Sequence, residues 1–300
     1  AIRVIRSTNP SLVHAHYVGK YGLIAALSGF KPLIITAWGS DIIFGSTHFF
    51  KRFLVKYILN RSHLITCDAI HMKNAMIKLG ANAEKIRVIL FGVDTKKFFP
   101  EKNKSNISVD EKNTPLLVLS IRDFEPVYNV KSLIFAANIV LDKYPDTKFL
   151  LAGKGSEKAQ LQDLIEKLKL ESNIRFSGYI SSEKMPQFYN SADICVSTSL
   201  SDAGIAGSTA EAMACGLPVV VTDTGENNLW IENDINGYLV PSENFKLLAK
   251  KIIHLIESPR KREQFGINNI EKINNNNNYQ VEMEKMREIY EKFISKDHTN

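Results

Sequence analysis

The sequence predicts an α/β protein built from two doubly wound parallel sheets. Short runs of Val, Ile and Leu recur along the chain and are apolar throughout rather than alternating, as in strands buried on both faces. Amphipathic stretches of helical period separate them, for instance at Leu161, Leu164, Ile165 and Leu168. A polar segment, Glu101–Thr114 (EKNKSNISVDEKNT), reads as a linker that leaves each part of the 300 residues long enough for its own core.

In chain order the expected strands are Leu12–Ala15, Leu33–Ala37, Leu64–Cys67 and Val88–Phe91, then Leu116–Ile121, Lys148–Ala152, Ile174–Phe176, Ile194–Ser197 and Val219–Thr222. Pro115 opens the second set, and the asparagine run Asn274–Asn278 is expected to interrupt two helices near the end. Two Rossmann-like domains joined at the linker would place a ligand in the cleft between them, outside the carboxyl ends of the strands.

Composition narrows the function classes. An apolar share of 44% is that of a soluble globular protein, and no apolar run approaches the roughly 20 residues of a membrane span. Cys67, Cys195 and Cys215 lie far apart in apolar segments and read as core thiols of a reducing compartment. Residues 1–100 carry 14 Lys+Arg against 4 Asp+Glu, while the remainder carries 24 against 28. A basic first third calls for an anionic partner. No nucleic-acid signature accompanies it, so an anionic membrane surface is preferred to nucleic acid. The stretch 47–60 (THFFKRFLVKYILN) sharpens this: Phe49, Phe50, Phe53, Leu54, Tyr57 and Ile58 fall on one helical face, away from Lys51, Arg52 and Lys56. Core packing and an interfacial helix both fit such a stripe.

The most informative segment runs from Ser201 to Val221. A loop containing Gly204, Ile205, Ala206, Gly207 and Ser208 leads into a short helix carrying Glu211, then the turn Cys215–Pro218 and a Val-Val-Val strand. The glycines allow close backbone approach, and the helix start offers unpaired N–H groups to a diphosphate. Glu211 could accept hydrogen bonds from sugar hydroxyls; equally, Ser208 and Glu211 form a capping box. His14 and His16 share one face of the first strand, but no third metal ligand has matching spacing. Ser40 or Asp41 could cap a helix after the second strand.

The motifs EAMACGLPVV, NPSLVHAHYVGKYG, TAWGSD, FGVD…F, the Arg122–Val130 segment and NGYLVP, in this order from Ser11 to Pro241, resemble the family 4 retaining glycosyltransferases of the GT-B fold. The resemblance implies two Rossmann-like domains whose parallel sheets face across a cleft: residues 1–107 on the acceptor side, 108–280 binding the nucleotide sugar, and a helix in 281–300 crossing back to the first domain. It implies that Arg122 grips the donor diphosphate together with the loop Gly204–Ser208, and that Glu211 binds the ribose. A Lys usual some five residues after the Arg is replaced by Val127 or Tyr128, with Lys131 displaced onto the next helix. Ala203 stands where the family's first Glu of a Glu-x7-Glu pair is expected; Asp202 could serve if the loop is one residue longer. His16 would lie near the donor sugar, and Trp38, Gly39, Ser40 and Asp41 would form the acceptor side. Phe91 stands where Asn is usual.

The implied activity is transfer of a sugar from a UDP- or GDP-sugar to a glycan or lipid-linked acceptor, with retention of configuration, no cofactor and no obligatory metal. A nucleotide-sugar epimerase and a non-catalytic nucleotide-sugar or glycan-binding protein are the alternatives. The expected location is cytoplasmic, peripheral at the inner face of the cell membrane. The sequence opens at Ala1 without a methionine. An upstream segment is therefore expected, and with it weak or no transfer from residues 1–300 alone.

Overall fold

The computed structural model describes residues 1–43, 49–101, 115–202 and 204–295. The linker from residue 102 to Thr114 falls outside them, as do Thr47, His48 and Ala203. The chain divides into two compact units, one of residues 1–92 with 279–300 and one of residues 93–278.

Unit 1 runs α1 (Ile2–Thr8), β1 (Val13–His16), α2 (Lys20–Ser28), β2 (Leu33–Thr36), α3 (Ser40–Ile43), α4 (Phe49–Arg61), β3 (Leu64–Cys67), α5 (Ile70–Lys78) and β4 (Ile86–Val88). Its strands form a parallel sheet in the order β1-β2-β3-β4. All four residues of β2 and of β3 are buried, which explains their uninterrupted Leu/Ile/Thr sequences.

Unit 2 runs β5 (Leu117–Ile121), α6 (Val130–Lys143), β6 (Lys148–Ala152), α7 (Lys158–Lys167), β7 (Ile174–Gly178), α8 (Met185–Ser191), β8 (Ile194–Ser197), α9 (Gly207–Ala214), β9 (Val219–Thr222), α10 (Asn227–Trp230), β10 (Gly237–Val240), α11 (Phe245–Glu257) and α12 (Pro259–Asn276). Its six parallel strands lie in the order β10-β9-β8-β5-β6-β7. The chain thus winds outward from β5 in one direction, then returns to start again at β8. Between β5 and β8 the sheet has the topological switch point at which doubly wound folds bind ligands. A core cluster that includes Phe149, Val196, Val220, Tyr238 and Phe265 packs on one face of this sheet, since the strand register puts its strand residues on the same side. The last helix, α13 (Tyr279–Ser295), belongs to unit 1.

Four features differ from the sequence expectations. The division lies after Gly92 rather than after 107, because the strap beyond it is already bonded into unit 2: Val93 N–H donates to the Asn277 carbonyl at 2.7 Å, Phe98 packs edge-on against Tyr189, and Glu101 N–H donates to Asn190. Asparagines 274–276 close α12, and the break is confined to Asn277 and Asn278; Asn277 is buried and Asn278 donates to Thr95 Oγ1. The strand expected at Val88–Phe91 ends at Val88, which frees Phe91 from the sheet, and β10 lies inside the NGYLVP motif. Finally, α4 buries Val55, Ile58 and Leu59, whereas Phe50 and Phe53 point to solvent at 86% and 69% exposure, with Leu54 beside them. Part of the stripe read as one apolar face is therefore the outer face.

Candidate functional site

Arg122 follows β5 at the switch point. Its Nε donates to Ser197 Oγ at 3.0 Å, and its Nη2 bonds to Ser199 Oγ and pairs with the Asp202 carboxylate. Ser197 ends β8 and the other two follow it, so one guanidinium bridges the two strands that flank the crevice. The pair is enclosed, with Arg122 and Asp202 side chains 11% and 9% exposed. One Asp202 oxygen is spent on Arg122; the other, Oδ2, is buried with no hydrogen-bond partner among the described residues. A buried carboxylate oxygen left this way costs free energy.

The guanidinium rests over the Tyr128 ring, 4.8 Å from its centroid. Lys131 lies exposed on the first turn of α6. The pocket, about 260 Å³, is lined by Arg122, Tyr128, Gly153, Tyr179, Met185 and Ser208, among others. The loop after β6 makes its wall: a Cβ on Gly153 would stand 2.2 Å from the Arg122 carbonyl, and one on Gly155 2.3 Å from that of Phe124. Only glycines let this loop press on the turn that carries Arg122.

Helix α9 points its start at the same pocket through Ser208. Its N-cap is Ala206, with no side-chain cap, and Gly207 and Ser208 are already helical. The capping box is therefore absent. Gly204 and Ala206 are buried, Ile205 half-buried, and open space surrounds the Cβ position of Gly207. Glu211 accepts a 2.8 Å hydrogen bond from the buried Tyr189 hydroxyl. Burial pushes the Glu211 carboxyl above its usual range, opposed by the bond from Tyr189 and the charge of Lys97.

In unit 1, strand ends again gather polar groups. His14 Nδ1 meets the Tyr290 hydroxyl of α13 at 2.6 Å, and Nε2 meets Thr36 Oγ1 at 2.7 Å, which in turn meets Thr66 Oγ1 at 2.6 Å. With both ring nitrogens so engaged, His14 has none for a metal, which removes the pair site weighed for His14 and His16. His16 is exposed, its ring centroid 4.2 Å from that of His14. Asp41 is buried, and its two oxygens accept from the backbone N–H groups of Val18 (2.6 Å) and Trp38 (3.0 Å). It anchors the loops after β1 and β2, so the expected contact of Asp41 with acceptor hydroxyls gives way to a structural role. Gly39 turns the chain at φ 100, a conformation that favours glycine. The side chain of Ser40 lies outside the described atoms. Trp38 is exposed and stacks on Phe91.

Sequence reading missed Ser197, Ser199 and the anchoring role of His14. The signal for the serines was a run of hydroxyl residues directly after a buried strand; nothing in the sequence marked Tyr290 as the partner of His14.

The family model described as glycosyl transferases group 1 matches residues 101–272, and one described as glycosyl transferase 4-like matches residues 1–69. The chain belongs to the group 1 glycosyltransferases. Among relatives of this glycosyltransferase, the uncharacterised glycosyltransferase MJ1178 of Methanocaldococcus jannaschii is 26% identical over 268 residues, covering 88% of this chain and 71% of that protein. The amylovoran biosynthesis glycosyltransferase AmsK of Erwinia amylovora is 29% identical, over 61% of this chain and 45% of its own length. The chain thus spans less than half of AmsK. The Anabaena protein Alr3699/HepE, solved in complex with UDP, superposes with a TM-score of 0.84 at 22% identity, over 97% of this chain and 81% of that one. That likeness assigns the GT-B fold class.

Burial and the neighbouring charge of His16 lower the pKa of His14 from 6.5 to about 4. Between those values the unfolded glycosyltransferase takes up a proton that folded His14 refuses, so stability falls as pH falls from about 6.5 to about 4. In His14→Gln that slope should flatten and stability near neutrality should drop. Thermal unfolding at stepped pH checks this; an unchanged slope would remove His14 as its source.

Proposed function

We propose that this chain transfers a sugar from a nucleoside diphosphate sugar to a glycan or lipid-linked acceptor with retention of configuration. The observation that carries the reading is the Arg122 crevice at the switch point of unit 2, with the start of α9 on its wall. Arg122 holds the diphosphate as a charge-assisted donor, and the amides of Gly204–Ser208 with the α9 dipole stabilise it as it leaves. Glu211 binds the ribose, Asp202 Oδ2 takes a hydroxyl of the donor hexose, and His16 serves the donor sugar. UDP bound to HepE supports a uridine donor. The reading calls for no cofactor and no obligatory metal, and the family match favours transfer over epimerisation or inert binding.

An anionic membrane surface is the partner we assign to unit 1, on the cytoplasmic side. Among the described residues no helix is long and apolar enough to cross a membrane. Residues 1–92 carry 12 Lys+Arg against 3 Asp+Glu, and residues 279–300 carry 4 against 5. The outer face of α4 adds Phe50, Phe53 and Leu54 beside exposed Lys51, Arg52 and Lys56, the composition of an interfacial helix.

Three outcomes follow. Arg122→Ala strips Asp202 of its counter-charge and should lose stability as well as UDP affinity. The double variant Arg122→Met/Asp202→Asn should recover the stability while UDP affinity stays down by roughly ten- to hundred-fold. Calorimetry showing UDP affinity restored in the double variant would take Arg122 out of the donor site.

Glu211→Gln should hold or raise stability at neutral pH, since a carboxyl whose pKa is raised on folding costs stability once pH exceeds its unfolded value. It should nevertheless weaken UDP. Wild-type UDP affinity would end the ribose assignment.

For the membrane, the chain should sediment with phosphatidylglycerol vesicles and not with phosphatidylcholine vesicles. The binding should fall on raising salt, and by roughly tenfold or more in Phe50→Ser/Phe53→Ser. Equal binding to both vesicle types would exclude the anionic surface.

A further inference from the structure

Large aromatic rings left in water at the ligand edge of a parallel sheet need an explanation. Trp38 is 47% exposed and Phe91 45% exposed. Both follow the carboxyl ends of their strands, β2 and β4, and together they span the end of β3, which lies between those strands. Their centroids stand 4.9 Å apart with an interplanar angle of 25°, so the two rings form one stacked unit. His16, exposed at the end of β1, brings its ring to 6.0 Å from that of Trp38.

The unit is held firmly from beneath. Trp38 N–H is fixed by buried Asp41, whose second oxygen fixes Val18 in the loop after His16. Ala37 N–H donates to the Thr66 carbonyl at 2.9 Å, which pins the approach to Trp38 on β3. One buried carboxylate therefore sets both the aromatic pair and the strap that carries His16. Such fixing lowers the ordering cost of binding. It serves no core packing, because the rings it fixes are half in solvent.

We propose that Trp38 and Phe91 form a stacking platform for a hexopyranose ring of the acceptor, beside His16, the group assigned above to the donor sugar. The inference rests on the reading of the chain as a glycosyltransferase. A pyranose turns a face of C–H groups with slight positive charge, and an aromatic ring offers a face of negative charge. Stacking buries apolar area on both partners, while equatorial hydroxyls project sideways and keep their hydration. An acyl chain would want a closed apolar groove; a flat pair rimmed by a histidine suits a sugar.

The test uses the full chain. The sequence has two tryptophans, and Trp230 is buried, so in Trp230→Phe the fluorescence reports Trp38 alone. Maltotriose, cellotriose and chitotriose are titrated into that variant, and saturation-transfer NMR on the unaltered chain reads the same sugars without relying on its folding. At least one sugar should give a saturable response. By NMR, Trp38→Ala should weaken it by about tenfold or more, and Trp38→Phe should retain most of it. No saturable response to any of the three, or equal affinity in Trp38→Ala, would overturn the proposal. UDP affinity measured on the same samples reports on the donor reading separately: sugar binding without UDP binding sinks that reading and leaves the platform standing.

Discussion

A single buried cation organises unit 2. Placing a guanidinium at the end of β5, enclosed by protein, is favourable only if charge and hydrogen bonds meet it there. Asp202, Ser197 and Ser199 do so from the far side of the switch point. The demand fixes the path of the chain after β8, because three residues of that segment must turn towards one strand end. It also explains the neighbouring glycines: the loop after β6 must close over the Arg122 carbonyl, and a Cβ at Gly153 would meet it. The crevice is thus a consequence of neutralising Arg122, and Asp202 Oδ2 is a buried atom there with no hydrogen-bond partner among the described residues.

Unit 1 solves a related problem by bonding each polar side chain on both sides. His14 is hydrogen-bonded on both sides and Asp41 on both oxygens, so each buried polar side chain ties two pieces of backbone or helix together. His14 stays neutral because protonation would put a charge beside His16 in a partly desolvated site. Through Tyr290 it holds α13 to the sheet, as buried Glu282 does by accepting from the Leu90 N–H.

What could be read from the sequence follows from the range of the interactions involved. Strand runs such as Leu64–Cys67 and Val219–Thr222 were legible to the residue, since a strand buried on both faces advertises itself by composition alone. Arg122 and Glu211 were singled out through the family resemblance, while their partners Asp202 and Tyr189 come from the structure. The outer face of α4 was not, because a helical stripe of Phe and Leu looks the same whether it meets a core or solvent; burial of Val55, Ile58 and Leu59 decides it. Nor was the role of Asp41, for its partners Val18 and Trp38 offer backbone N–H groups that every residue has. Partnerships across long sequence separation, such as His14 with Tyr290, leave no local pattern at all.

The two units therefore present different chemistry at equivalent places. At the carboxyl ends of the unit 2 strands stand a cation, a carboxylate, hydroxyls and a helix start, groups whose chemistry suits a charged and strongly hydrated anion. At the corresponding ends in unit 1 stand Trp38, Phe91 and His16, which offer little charge and much flat apolar area. The sheets, one of four and one of six parallel strands, owe this difference to the divergence of their strand-end loops. Phe91 embodies that divergence. The sheet ends at Val88, the following turn lifts the ring clear of the core, and stacking on Trp38 gives an otherwise costly exposed side chain a partner and a fixed orientation.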